Sequence, residues 1–546
     1  MEFNLADLYE IATDTAPDRT AVIAGDERRT YRELDQRANR FAHHLLDSEA
    51  GPRLSAGEAV AIYAWNRVEW IEAELGIYKA RGIVVNINYR YVVEELRYML
   101  ENSDSVVVVF ERAFAPLLAK IKNDCPKVRH FIVLDDETKN EDEETKTALA
   151  ELEAVPYEVA MAGASPERNF GPRSPDDLYV LYTGGTTGLP KGVIWRQEDI
   201  FFAALGGGGY GQPPITEPEQ LRARVEAAAP TVGIINAPMM HGGGQWTTFI
   251  NFFAGGCATL NCDHHFSADR VLRLAEREKA FSIMVVGDAM ARPIADALAD
   301  KSTSYELPDL MMIGSGGAIM SKVVKEQLRE LIPGVIVADS FGASETGAAG
   351  TVMDFDGPAA GPRFTVTETI NVLNDDLRPV VPGSDEVGRL ARSGHIPIGY
   401  YKDEVKTAAT FVTDPDGVRW VIPGDYATIE SDGTLKLLGR GSVCINTGGE
   451  KIYVEEVESA LKAHPDIFDA VVVGVPDERF GERVAAVVTT RDNAQLDLAE
   501  VQEFCRDSLA RYKLPRELHL TDEIPRTAVG KPDYRWAKRI ATGNEV

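Results

Sequence analysis

The sequence predicts an α/β protein: a large N-terminal domain of parallel-type sheets with flanking helices and a β-rich subdomain, then a small α+β C-terminal domain. Three observations predict it. Strand-length apolar runs alternate with helical periodicity between residues 60 and 134, the pattern of parallel crossover units covered on both faces. Three later apolar runs, at 178–181, 311–313 and 335–338, break directly into turns of glycine, serine and threonine. Composition changes at Gly441, beyond which about a hundred residues have the size of a compact domain. At 546 residues the chain exceeds one ordinary core.

Taken in order, residues 5–16 and 31–47 have helical periodicity, with Thr30 as the cap of a helix presenting Leu34, Ala38, Phe41 and Leu45. Residues 60–64 form a strand, 66–79 a helix and 82–87 the next strand. Strands at 106–110 and 131–134 flank a further helix. The acidic run 135–144 and the polar stretch reaching Pro175 are expected as solvated loops. Residues 210–230, with several prolines, are expected as a surface insertion beside the Gly/Thr turn that precedes them. Residues 363–438 are β-rich, with Asp432-Gly433 as a hairpin turn. The C-terminal unit has a helix at 454–463, strands at 469–475 and 484–490, and a helix at 498–509.

Lys+Arg total 57 against Asp+Glu 85, a formal charge of −28 that disfavours nucleic acid or an anionic membrane as partner. Any anion site must then be made locally, from glycine amides and placed lysines. Five cysteines with no CxxC pair, no leader-like start and no bilayer-length apolar run predict a cytoplasmic protein with reduced thiols and no integral membrane segment.

Function is concentrated in a few turns. Thr183, Gly184, Gly185, Thr186, Thr187, Gly188 and Lys191 combine small residues, hydroxyls and one cation, which suits a nucleotide's phosphates. A Ser or Thr after the lysine would mark a Walker A loop; here Gly192 follows. Ser315, Gly316, Gly317 and Ala318 end one strand. Ser340, Phe341, Gly342, Ser344 and Glu345 end another, where ligands of parallel sheets are expected. His241 and Gly242 follow a Pro-Met-Met run, a setting equally suited to a packed structural histidine. Asp425 follows Pro-Gly, Arg440 follows Gly439, Gly448-Gly449 opens the C-terminal unit, and Lys531 ends the run from Pro525.

In this order the motifs resemble those of the adenylate-forming superfamily, which includes acyl-CoA synthetases, firefly luciferase and peptide-synthetase adenylation domains. Two positions depart from the family pattern: Gly184 stands where a serine is usual, and Val443 where the hinge aspartate is usual. The resemblance implies an ATP- and acyl-binding domain at 1–438, a hinge at 439–442 and a mobile domain at 443–546 carrying a catalytic Lys531. It further implies phosphate binding by the 183–191 loop, and adenine binding by the 315–318 turn with Phe341 stacked on the base. Ser344 would reach a phosphate, Glu345 and Thr187 would hold Mg2+, and Asp425 with Arg440 would bind the nucleotide. His241, Gly242 and Gly316 would contact the acyl group, Gly448 and Gly449 CoA, and Val443 would be the pivot.

The implied activity is an AMP-forming acyl-CoA synthetase using ATP, Mg2+ and CoA on a small-molecule carboxylic acid. Appearance is closest to actinobacterial sterol or steroid side-chain CoA ligases, on Thr183–Thr187, Gly287–Pro293, Gly441–Asn446 and Lys531–Trp536. Fatty acids are the alternative substrates. Glycines at 206–209 and 242–244 either leave space for a bulky acyl group or form loops. A stand-alone adenylation enzyme loading a carrier protein, and a catalytically silent binding protein of the same fold, are the other readings. The sequence is compatible with a homodimer and fixes no oligomeric state.

Overall fold

The computed structural model describes the chain apart from residues 1, 48, 137–141, 184–188, 210–212, 319, 355–362, 366–368, 385, 441–443, 448–449, 478–480, 507, 510, 527–531 and 544–546. Among the described residues the strands form five sheets. The first is parallel throughout, in the spatial order Ile83–Asn86, Ala59–Tyr63, Ser105–Glu111, His130–Leu134, Val155–Pro156. Its inner strands are buried along their whole length, which is why they are runs of valine and isoleucine without polar alternation.

The second sheet has a parallel centre: Ile336–Ala343, Met312–Gly316, Ser282–Val285, Val232–Ile235, Cys257–Leu260 and Thr20–Ala24. Antiparallel strands close it at both sides, Gly347–Asp354 at one and Glu27–Thr30 at the other. The strand expected to stop at Ala338 continues through Phe341 to Ala343, because Gly347–Asp354 folds back and pairs with it. A third, antiparallel sheet joins Leu178–Thr183, Lys191–Arg196 and Gly399–Tyr400. The β-rich segment forms a fourth sheet between Arg363 and Arg440, with Gly433 at positive φ in the expected hairpin turn.

In the C-terminal unit Ile467–Asp477 and Gly481–Thr490 pair antiparallel. Alternate residues of the first strand serve opposite faces: Val472 packs with Val457 and Leu461 of the helix Val454–Lys462, while Val471 and Val473 pack with Ala537 of the helix Tyr534–Thr542. The helix Tyr31–Leu46 begins in the expected manner: Thr30 Oγ1 accepts from Glu33 N at 3.2 Å and Glu33 Oε2 accepts from Thr30 N at 2.8 Å.

Two expectations are corrected. The stretch 135–175 contains the helices Glu143–Leu152 and Tyr157–Met161, which bury Ala148, Leu152, Tyr157 and Met161. Its polar end is also tied down. Arg173 pairs with Asp7 at 2.6 Å and Glu10 at 2.7 Å, and Arg168 pairs with Asp35 at 2.9 Å. Glu10 and Asp35 also pair with the buried Lys79, so charges that look solvated in sequence satisfy an internal ion cluster. The stretch 210–230 likewise contains a helix, Gln220–Ala227, that packs on Leu5–Thr15 through buried Leu221 and Val225.

Candidate active site

Thr183 ends one strand of the antiparallel hairpin and Lys191 begins the next, as register partners. Gly184, Gly185, Thr186, Thr187 and Gly188 between them lie outside the described residues, as do Val443, Gly448, Gly449 and Lys531. Lys191 Nζ lies 2.9 Å from Asp403 Oδ2 and 5.6 Å from the ring centroid of Tyr400. Asp403 also caps the helix Glu404–Thr410 by accepting from Lys406 N at 2.9 Å. The Lys191 bond, then the Lys406 N–H, hold its carboxyl below the usual range.

Tyr400 connects this hairpin to the second motif. Its strand pairs with Lys191–Arg196, and its hydroxyl donates to Glu345 Oε1 at 2.8 Å. The turn carrying Glu345 is fixed from several sides. Trp195 Nε1 donates to Ser344 O at 3.0 Å, and the buried Arg392 donates to Thr346 O at 2.5 Å and Ala348 O at 2.9 Å. Gly342 cannot carry a side chain here, since a Cβ would lie 2.1 Å from Gly347 O. Gly347 itself has φ +64°.

The third turn lies beside the second, with Gly316 the parallel register partner of Ser340. Ser315 is buried and spends its hydroxyl inside the turn, accepting from Gly287 N and donating to Ala318 O, each at 2.9 Å. Gly317 has φ +81°, and a Cβ on Gly316 would lie 2.6 Å from Met284 Cε. Ser340 Oγ is 3.0 Å from Thr351 Oγ1, and the Phe341 ring packs at 4.6 Å on Phe364. Asp425 and Arg440 are opposite each other in an antiparallel pair of the β-rich sheet.

His241 is half-buried at the N-cap of the helix Gly242–Phe253. Two of the three glycines that follow it are tightly packed. A Cβ would lie 2.9 Å from Leu181 Cδ2 at Gly242, and 2.4 Å from Pro238 O at Gly244. At Gly207 and Gly208 it would strike Phe201 at 2.4 Å and Phe202 O at 2.5 Å. At these four positions chain packs closely on chain, whereas a Cβ on Gly206 would meet nothing within 4 Å and one on Gly243 would make an ordinary contact with Ala237 at 3.6 Å.

The structure therefore brings Lys191 and Glu345 together at Tyr400, with Thr183 opposite Lys191 in the hairpin and Ser315–Ala318 and Ser340–Gly342 on neighbouring strands. Sequence reasoning missed Tyr400, Asp403, Trp195 and Arg392. Only the aromatic pair Tyr400-Tyr401 after Gly399, with Asp403 heading a short helix, was a signal in the chain.

The C-terminal unit touches the large domain through Phe468. Its ring lies 5.8 Å from the Arg292 guanidinium and 5.5 Å from that of Arg491, and Arg491 is 3.6 Å from Asp296.

Comparison with known proteins agrees with this geometry. The AMP-binding enzyme family matches residues 9–401, and the AMP-binding enzyme C-terminal domain matches 456–531. A Medium/long-chain-fatty-acid–CoA/3-oxocholest-4-en-26-oate–CoA ligase of Mycobacterium tuberculosis is 47% identical, covering 98% of this chain and 95% of the relative. A 3-oxocholest-4-en-26-oate–CoA ligase of Rhodococcus rhodochrous is 45% identical, covering 98% and 96%. Among solved structures, the anthranilate CoA ligase AuaEII with anthranoyl-AMP aligns at a TM-score of 0.83 and 22% identity, over 99% of this chain and 98% of that one. ATP-bound MatB from Rhodopseudomonas palustris aligns at 0.80 and 24% identity, over 99% of both chains. These two carry the fold alone. With the AMP-binding enzyme model matching most of its length and relatives 45–47% identical over nearly all of it, this chain belongs to the AMP-binding enzyme family of adenylate-forming ligases.

Proposed function

We propose that the chain is an AMP-forming acyl-CoA ligase, converting a carboxylic acid, ATP and CoA to acyl-CoA, AMP and pyrophosphate. The acid is a medium- or long-chain fatty acid or a steroid side-chain carboxylate, following the names of the relatives nearly half identical to it. The observation that carries the reading is the meeting of Lys191 and Glu345 on Tyr400, which joins a phosphate-type cation to a metal-type carboxylate.

Reaction begins when a carboxylate oxygen attacks the α-phosphorus of ATP. The bond to the β-phosphate breaks and pyrophosphate leaves acyl-AMP behind. The CoA sulfur then attacks the acyl carbon, the bond to AMP breaks and the thiol proton is lost. Thr183 to Gly188 and Lys191 hold the phosphates, and Ser344 reaches the α-phosphate. Gly316 to Ala318 and Ser340 to Gly342 hold the adenine; Asp425 accepts from both ribose hydroxyls, with Arg440 beside it. His241 and Gly242 border the acyl group.

Glu345, with one carboxylate oxygen fixed by Tyr400, is the hard oxygen donor that Mg2+ takes together with phosphates. Thr187 is the second protein donor. Bound there, the ion offsets phosphate charge. Lys531 brings the acid carboxylate and α-phosphate together against their mutual repulsion.

Residues 1–438 form the nucleotide- and acyl-binding body, 439–442 the hinge about Val443, and 443–546 a body that swings. After adenylation it withdraws Lys531 and presents Gly448 and Gly449 to CoA. The five cysteines are free thiols, which supports a cytoplasmic site of action. Light scattering decides between monomer and homodimer.

Pyrophosphate release across a panel of carboxylic acids, with and without CoA, tests the reaction. Acid-dependent release with thioester formed only when CoA is present is expected; transfer to a carrier protein in place of CoA would overturn it. Lys531→Ala should slow acyl-AMP formation by ~10²–10³ while still making thioester from supplied acyl-AMP. Equal loss of both half-reactions would contradict a swinging body.

A further inference from the structure

The segment entered at Asn86 does more than end a strand. Asn86 is 4% exposed and closes the strand Ile83–Asn86 in the five-stranded parallel sheet. Its amide nitrogen donates to Tyr182 O at 2.8 Å and to Met240 O at 2.6 Å, while its Oδ1 accepts from Tyr182 N at 2.8 Å. Two carbonyls can only accept, so the orientation of this amide is forced. Tyr182 is the residue before Thr183, and Met240 the residue before His241. One side chain thus spans from the stem of the phosphate hairpin to the acyl-side turn.

Two further amides hold that turn without touching the hairpin stem at Tyr182. Asn66 accepts from Met239 N at 2.7 Å and donates to Ala237 O at 3.3 Å and Asn261 O at 3.0 Å. Gln245, 2% exposed, donates to Met239 O at 2.9 Å and accepts from Tyr179 OH at 2.6 Å. The turn's own contribution is His241 N to Pro238 O at 3.0 Å. Main-chain groups of 237–240 that would take strand or helix partners elsewhere are bound by side-chain amides rooted in other elements. Buried amides fully satisfied in this way fix a backbone tightly, because releasing any one leaves an unpaired group out of water.

We propose that Asn86, Asn66 and Gln245 form an amide clamp that positions the acid against the nucleotide, with Asn86 setting the distance between the two substrates at the end of the hairpin strand, Gln245 tying the acyl-side turn to Tyr179 farther back on that strand, and Asn66 setting the turn alone. The inference rests on the acyl-CoA ligase reading above. These are positioning residues. They act through Tyr182 and Met240, and a displacement of about 1 Å between reacting partners costs on the order of 10²-fold in rate.

The test uses the full chain with an acid that the wild type turns over, measuring kcat and the KM of acid and of ATP from pyrophosphate release, with thermal melting alongside. Asn86→Asp keeps the acceptor for Tyr182 N and turns an oxygen toward the two carbonyls. It should lower kcat for acyl-AMP formation on the order of 10²-fold and raise the KM of the acid. Gln245→Glu, which loses the bond to Met239 O, and Asn66→Asp, which loses those to Ala237 O and Asn261 O, should each raise the KM of the acid about tenfold or more and leave kcat and the KM of ATP unchanged. If Asn86→Asp does not fold, the selective rise in acid KM in the other two variants carries the test. Variants that only melt earlier, with kcat and both KM values intact, overturn the inference, as does a matched rise of both KM values in Asn66→Asp. A wild type silent with every acid removes the ligase reading and this inference with it. An active wild type with unmoved variants removes this inference alone.

Discussion

Tyr400 holds Glu345 by one hydrogen bond and faces Lys191 with its ring, so removing a single oxygen separates two effects. Tyr400→Phe keeps the ring and frees the carboxylate. A hydrogen bond to a charged group is worth about 1.5–3 kcal/mol, so the Mg2+ requirement should rise by about ten- to a hundredfold at fixed ATP while the fold is kept. A Mg2+ titration that does not move would detach Glu345 from the metal. A second residue carries a pH dependence of stability. Glu74 is fully buried, and burial raises its carboxyl to about 8, against which the hydrogen bond from Tyr78 acts only weakly. Because the folded value lies above the unfolded one, the stability linked to Glu74 is complete below about 4.5 and is lost as pH rises through about 8. Glu74→Gln should flatten the urea midpoint across that window and raise it at pH 9. At this scale Lys191 and Glu345 could be singled out, since they stand among glycine and hydroxyl residues, and the structure brings both to Tyr400. Their partners were not. Asp403 is 212 residues from Lys191, and nothing local in an Asp before a short helix tells which cation it will meet.

The hairpin joining Ile336–Ala343 to Gly347–Asp354 shows what an element demands of its turn. Gly342→Ala would press a methyl into Gly347 O, and overpacking of this kind costs about 1–3 kcal/mol. Since the same turn carries Glu345, the variant should lose activity more than its drop in denaturation midpoint accounts for. Proportional losses would mean that the turn shifts as a rigid piece. Strands and long helices were legible because burial imposes a period: the unbroken apolar run Val106–Phe110 and the stripe Leu34, Ala38, Phe41, Leu45 leave little choice. The helix Glu143–Leu152 was not legible. Its buried face is only Thr145, Ala148 and Leu152, and acidic residues around it dominate the composition. Arg168 and Arg173 were misjudged for a related reason. Sequence shows the charge but not the buried carboxylates waiting for it.

For the whole molecule, the large and small domains meet at Phe468, held between Arg292 and Arg491 with Arg491 also reaching Asp296, and at Tyr426 and Tyr453, whose rings lie 6.1 Å apart. Partly desolvated cation–ring contacts are worth roughly 0.5–2 kcal/mol each, enough to bias the proposed swing without locking it. Phe468→Ala should therefore speed proteolytic cleavage in 439–442 and change the ratio of the two half-reaction rates; unchanged cleavage and an unchanged ratio would mean that this contact does not hold the arrangement. That a small domain follows a large one was legible in the sequence, and the C-terminal family model matches 456–531, whereas the surface that joins them was not, because a phenylalanine between two arginines exists only after folding. A last consequence concerns crowding inside a cell. The long parallel sheet ends on one side at Glu27–Thr30, four residues bearing one acid and two arginines, with Arg28 fastened to Glu278 at 2.7 Å. Backbone templating by a neighbouring copy would need a longer and neutral rim, so this margin discourages the fibrous association to which an open sheet is prone.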